Sequence, residues 1–207
     1  MKNIFSIFLV LACFTVAKAQ NVTPPRGSSF QDSVRSENSD GGKVILVNGE
    51  AMNTAKDFIE NLTSSKTHTI FLASLRAASL VGTFKSRGPL TVFVPSDTAF
   101  TQKLGKKLDT LTKPAHKYEL INLLSYHAVP GNYTAKELNK LIKDGKGEAA
   151  LLTLSGSKLI ARIDENRNIV LYDENGGKSV VSQFDIKQSN GTMHYTTQVL
   201  IPKDRAL

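Results

Sequence analysis

Apolar positions recur along this chain with two different periods. Ala55, Phe58, Ile59 and Leu62 follow helix spacing, and a second such run predicts a helix from about His68 to Val81. In that run Phe71, Leu75 and Ala78 share one side, Leu72 and Ser79 lie beside them, and Gly82 reads as the stop. Arg87-Gly88-Pro89 predicts a turn, Leu90-Thr91-Val92-Phe93-Val94 a buried strand, and Pro95 its end. Ser96 or Asp97 can cap a short helix through Thr98-Ala99-Phe100, because a side-chain oxygen there accepts a free amide hydrogen. Residues 101–115 are polar and Lys-rich and are expected as a loop, anchored by Leu104, Leu108 and Leu111. A helix over about His116 to Leu124 would bury Leu120, Ile121, Leu123 and Leu124. His127-Ala128-Val129 reads as extended, Pro130-Gly131 as a turn, and Thr134 with Glu137 as a capping box opening a helix from Ala135 to Leu141.

From Ala149 the period drops to two. Leu152 and Leu154, then Leu159, Ala161 and Ile163, alternate with polar neighbours, followed by Ile169–Tyr172, Ser179–Phe184 and Met193–Ile201. Ser155-Gly156, residues 164–168, Asn175-Gly176-Gly177 and Ser189-Asn190-Gly191 punctuate these runs as hairpin turns. The expectation is one α+β unit, helical before residue 142 and antiparallel after 149. Lys43–Val47 is a further strand candidate ending in the turn Asn48-Gly49.

The first residues add a processing step. Lys2, the apolar run Ile4–Ala12 continuing through Phe14 and Val16, and Ala17-Lys18-Ala19 read as a signal peptide cut after Ala19. Val10-Leu11-Ala12-Cys13 loosely resembles a lipoprotein box, but the apolar run continues past Cys13, so lipid anchoring is the less favoured reading. Residues 20–49 then form a flexible leader with one short strand, 50–202 the folded domain, and 203–207 a tail. With 41% hydrophobic and 21% charged residues the composition is that of an ordinary globular protein. Net charge is +8, falling to +6 once Lys2 and Lys18 leave. That balance favours an acidic partner, although it also serves solubility. Lys103, Lys106, Lys107 and Lys113 form the densest basic patch, but exposed aromatics do not interleave them, so nucleic acid is not expected.

Catalytic chemistry finds no support. His68, His116, His127 and His194 lack the spacing of a helical zinc site, and Cys13 is the single cysteine. Residues 164–168 begin like a calcium loop, but Ile169 stands where glycine is needed and Asn175 where the bidentate glutamate is needed. Gly177-Lys178-Ser179 lacks the leading glycine of a phosphate loop, since Tyr172 occupies its place. No Gly-x-Ser-x-Gly elbow occurs. The chain is expected to be no enzyme and to carry no metal or cofactor.

Three blocks carry a family resemblance. Gly88–Phe100 resembles the first signature of fasciclin-type (FAS1) domains, Leu123–Gly131 the second, and Asn190–Pro202 the closing strand, in the family's order and at its usual separations. Two positions depart from the pattern at the end, with Thr196 and Thr197 where isoleucine and aspartate are usual, and Val94 replaces a common alanine. The resemblance implies a FAS1-like α+β fold, a wedge-shaped β core with helices packed at one side. It implies secreted, periplasmic or envelope placement. No transmembrane segment is expected in the mature chain, because no stretch after the short first apolar run reaches spanning length. The resemblance also implies a non-enzymatic binding or adhesion role toward a cell-surface or matrix protein or glycan; a structural envelope protein without a specific ligand is the alternative. One domain has one site, so crosslinking two surfaces would need oligomers, an anchor or a partner.

Tyr126 and His127 match the tyrosine-histidine pair linked to adhesion in animal relatives, which makes them the candidate binding residues. The structural reading of His127, a ring that locks the turn by bonding backbone groups, is preferred. Thr91, Phe93, Pro95, Asp97, Ala99, Phe100, Pro130, Gly131 and His194 are read as residues of the structural motif.

Overall fold

Leu90–Pro95 is apolar without alternation, and all six of its residues are buried. Such a strand must be covered on both faces. The computed structural model, which describes residues 41–203, shows how. The expected signal peptide, Cys13, most of the expected leader and the last four residues lie outside the described part.

The elements run β1 (Val44–Val47), β2 (Glu50–Asn53), α1 (Phe58–Ser64), α2 (Thr69–Ala77), α3 (Val81–Ser86), β3 (Leu90–Pro95), α4 (Asp97–Leu104), α5 (Lys107–Leu111), a 3₁₀ turn (Pro114–His116), α6 (Lys117–Tyr126), β4 (Ala128–Pro130), α7 (Ala135–Asp144), β5 (Glu148–Leu152), β6 (Lys158–Ile163), β7 (Ile169–Tyr172), β8 (Lys178–Gln188) and β9 (Gly191–Thr196). β1 and β2 form an antiparallel hairpin, and the other strands form one sheet in the order β4-β3-β9-β8-β7-β6-β5. This is an α+β domain. Val47 and Met52 of the hairpin are buried in the main core, so the packed region begins ahead of residue 50.

β3 and β9 lie side by side between β4 and β8. Their registers run parallel, from Leu90 beside Gly191 to Pro95 beside Thr196. The expectation of antiparallel strands throughout the second half is therefore corrected at β9. Gly191 permits the close start of that pairing: its φ is +149°, and a Cβ would collide with the Leu90 carbonyl oxygen. Val92, Val94 and Met193 face a core shared with Phe58, Phe71, Phe84 and Phe100 of the helices. Phe93 faces a second core with Tyr126, Leu138, Leu159, Leu171 and Leu200. β8 joins the two halves, with Val180 paired to β7 and Val181–Gln188 paired to β9 through register shifts.

Other local expectations shift as well. The helix expected over 68–81 breaks, because Ser79 takes a left-handed φ of 60° and the Leu80 amide closes on the Leu75 carbonyl at 2.8 Å. Gly82 consequently sits inside α3 rather than stopping a helix. The Lys-rich stretch 101–115 is mainly helical, since Leu104, Leu108 and Leu111 recur at helix spacing and pack on the core. α7 continues past Leu141 to Asp144. On β5 the buried positions are Ala149 and Leu151, while Leu152 points outward. The closing strand ends at Thr196 instead of reaching Ile201.

Candidate functional site

Tyr126 ends α6 and His127 follows it as the C-cap, and both side chains are fully buried. The Tyr126 hydroxyl donates to the Lys158 carbonyl at 2.8 Å. Burial, reinforced by the nearby Glu174 and Asp173 carboxylates, pushes its pKa up, so it remains a neutral donor. His127 is bonded at both nitrogens: Nδ1 lies 2.9 Å from the Leu123 carbonyl oxygen, and Nε2 accepts the Leu200 amide at 3.2 Å. Those partners assign the proton to Nδ1 of a neutral ring. Burial lowers the His127 pKa to about 4, against the smaller opposing effects of the Leu123 carbonyl and Asp173. Its backbone carbonyl also receives the Phe93 amide at 2.8 Å. One residue thereby ties α6, β3 and the closing segment together.

The motif residues cluster around the same centre. His194 of β9 is buried, with Nε2 2.8 Å from the Tyr133 carbonyl oxygen and Nδ1 accepting the Asp185 amide at 3.2 Å. Burial lowers its pKa, and its ring stacks on Phe93 at 5.5 Å. Thr91 donates to the Gly131 carbonyl at 2.9 Å and accepts the Tyr133 amide at 2.7 Å, which pins the turn after Pro130. Pro95 is the last residue of β3, and Ala99 and Phe100 are buried on α4. Ser96 caps α4, accepting the Ala99 amide at 3.2 Å. Asp97 does something periodicity did not reveal: its carboxylate accepts the Ile70 amide at 2.8 Å and the Thr69 hydroxyl at 2.7 Å, capping α2 from another element.

Two openings remain at the surface. The first is a groove of about 500 Å³ between α4, α5, α6 and the segments at 154–155 and 201–202. Leu104, Leu111, Ile121, Leu123, Leu154 and Ile201 give it an apolar lining, and Tyr118, 80% exposed, and Lys107 lie along it. Among the described residues Lys107 makes no ion pair, while Glu119, also on the lining, is held by His116 at 2.8 Å. The second is a polar cleft of about 540 Å³ at the N-terminal ends of α2 and α4 and the end of β9. Among the described residues no group of three or more His, Cys, Asp or Glu side chains is gathered to hold a metal, and no helix is long and apolar enough to cross a membrane.

The fasciclin domain model matches residues 66–202. The chain belongs to the fasciclin-domain family. It is 30% identical over 160 residues to protein sll1483 of Synechocystis, covering 77% of this chain and 81% of that protein. It is 29% identical over 149 residues to human periostin, covering 72% of this chain and 16% of periostin, so it corresponds to a small part of that longer protein. Among solved structures, a FAS1 domain pair from the insect cell adhesion molecule fasciclin I overlays with a TM-score of 0.64 at 18% identity, covering 81% of this chain and 65% of that one. This likeness establishes the FAS1 fold. Fasciclin domains are generally non-catalytic modules of adhesion and extracellular proteins.

Proposed function

We propose that this fasciclin domain is a non-enzymatic binding module of the cell exterior or envelope, contacting an acidic surface or matrix protein through the groove beside α4, α5 and α6. The observation that carries the reading is an apolar groove whose lining includes Lys107, which makes no ion pair among the described residues. Apolar side chains of a partner gain by leaving water there, and a partner carboxylate can meet Lys107. Tyr126 and His127 support the reading by being elsewhere: their polar atoms are bonded inside the domain, so their part is to hold α6, whose outer side forms one wall. Export, with cleavage after Ala19 and release of Cys13, belongs to the same proposal; sequencing the mature N-terminus should return Gln20.

The test is retention of partners from envelope and matrix extracts by the mature chain at low and at physiological salt. Exposed charges are screened beyond roughly 8 Å at physiological ionic strength, so a contact made by charge alone fades there. A discrete protein retained at physiological salt, and lost by Tyr118→Ala/Lys107→Glu, supports the module. Recovery at low salt only reduces the contact to nonspecific charge. No recovery at either salt favours a structural envelope protein without a specific ligand.

A further inference from the structure

The polar cleft differs in kind from the groove. Its walls come from the β1–β2 turn at Asn48, the loop before α2, the start of α4, Ser182 within β8, and the end of β9 with Thr197 after it. At about 540 Å³ it lies within the size range of small-molecule sites. Two hydroxyls on residues that line it, Tyr195 Oη and Thr196 Oγ1, are buried and have no hydrogen-bond partner among the described residues, and both residues are 2% exposed. Buried polar groups are nearly always paired, so each orphan needs an explanation. As successive residues of β9 the two point to opposite faces of the sheet, and Tyr195 is the one on the side of His68.

A third group joins them. The Ser65 and Thr67 hydroxyls lie 2.6 and 3.3 Å from the Glu50 carboxylate and 3.1 and 3.0 Å from His68 Nδ1. With the hydroxyl protons on the carboxylate, Nδ1 is the donor and Nε2 the acceptor of the ring. His68 Nε2 has no partner among the described residues, and the ring stacks on Tyr195 at 3.8 Å. Burial lowers the His68 pKa against the raising effects of Glu50 and Asp97, so the ring stays neutral near pH 7. Burial, and secondarily Glu50, raises that of Tyr195, which keeps its proton.

The charges around the cleft are already spent. Both Asp97 oxygens cap α2, and both Glu50 oxygens serve Ser65, Lys66 and Thr67. A cation would find no free carboxylate, and an anion would face these two against Lys66 alone. What remains open is hydroxyl chemistry. Ser96 and Thr197 accept backbone amides and keep their protons to donate, and Thr98 and Ser182 are exposed beside them. Groups that both donate and accept match a ligand that does the same.

We propose that this cleft binds a neutral sugar residue, whose hydroxyls pair with Tyr195 Oη and His68 Nε2. The site is separate from the groove and takes a ligand of different charge, so either can fail without the other.

The experiment is an NMR titration of the mature chain with glucose, galactose, mannose and N-acetylglucosamine, with glucuronate as the charged control. At least one neutral sugar should produce saturable shifts at Tyr195, Thr196 and His68 while Tyr118 stays still. Tyr195→Phe should weaken that sugar at least tenfold without lowering the melting temperature. Thr98→Trp, at an exposed position, should block the cleft while leaving the fold intact. Tyr118→Ala/Lys107→Glu should leave the sugar response unchanged. No saturable shift with any neutral sugar, shifts that survive both cleft variants, or glucuronate binding as well as the neutral sugars would overturn the proposal.

Discussion

The centre built on Tyr126 and His127 and the stacked pair of His68 and Tyr195, with Thr196 next along β9, are both buried and both polar, yet they are finished differently. At the first, the Tyr126 hydroxyl and both His127 nitrogens bond backbone groups inside the domain. At the second, two hydroxyls are left without partners beside an open cleft. Burial alone therefore does not separate a structural polar residue from a recognition residue. Whether the hydrogen-bonding capacity is used up does. If the distinction is right, removing a polar tip should have opposite consequences in the two places.

The largest effect expected at the bonded centre comes with pH. His127 has its pKa lowered to about 4 by burial, whereas in the unfolded chain it titrates near 6.5. Below 6.5 the unfolded state takes up a proton that the folded state refuses, so stability is full above pH 6.5 and falls as pH drops toward 4. For His127 alone this amounts to roughly 3 kcal/mol. His68 and His194, also lowered by burial, contribute in the same direction. Denaturant unfolding between pH 7 and 4 should show the decline, and His127→Gln should flatten part of it. A pH-independent midpoint would mean that the ring titrates freely and the bonded centre is not as closed as its geometry indicates.

His127→Ala comes next. It leaves the Leu123 carbonyl and the Leu200 amide unpaired and opens a void, for a loss of about 2 kcal/mol. Thermal melting checks this. An unchanged melting curve with partner retention abolished would turn His127 from a clasp into a contact. Tyr126→Phe keeps the ring and deletes one bond to Lys158, so about 1 kcal/mol should go, again read by melting.

How much of this could be read from the residues depends on distance along the chain. The capping box of Thr134 and Glu137 is a matter of three positions, and it forms as its spacing predicts. The buried strand Leu90–Val94 shows itself as an unbroken apolar run. The fasciclin resemblance of three blocks is matched by the family model over residues 66–202. Periodicity did not reveal that β9 runs parallel to β3 about a hundred positions earlier, because an apolar strand looks the same in either direction. Nor did it show that Asp97 caps α2 while Ser96 caps α4, or that His68 lies on Tyr195. The cleft is assembled from such encounters. Each of its residues, taken singly, reads as loop polarity or strand filler. The groove is intermediate: Leu104, Lys107 and Leu111 were visible, but reading 101–115 as a loop hid the helices that bring them to one groove.

The smallest effect is the most diagnostic. Thr196→Val keeps the β-branched shape that suits a strand and removes a hydroxyl that makes no hydrogen bond. An ordinary buried hydroxyl lost this way costs stability because its partner is left bare; here there is no partner to leave. The ligand-free chain should therefore melt at the same temperature or slightly higher, and the same holds for Tyr195→Phe. The sign contrasts with Tyr126→Phe, which makes the same chemical change at a bonded site. Measuring the two tyrosine variants side by side isolates hydrogen-bond satisfaction from ring packing, since both keep the ring. A loss of about 1 kcal/mol at Tyr195 as well would mean that its hydroxyl is already paired, by an ordered water for instance, and the two polar centres would then be of one kind.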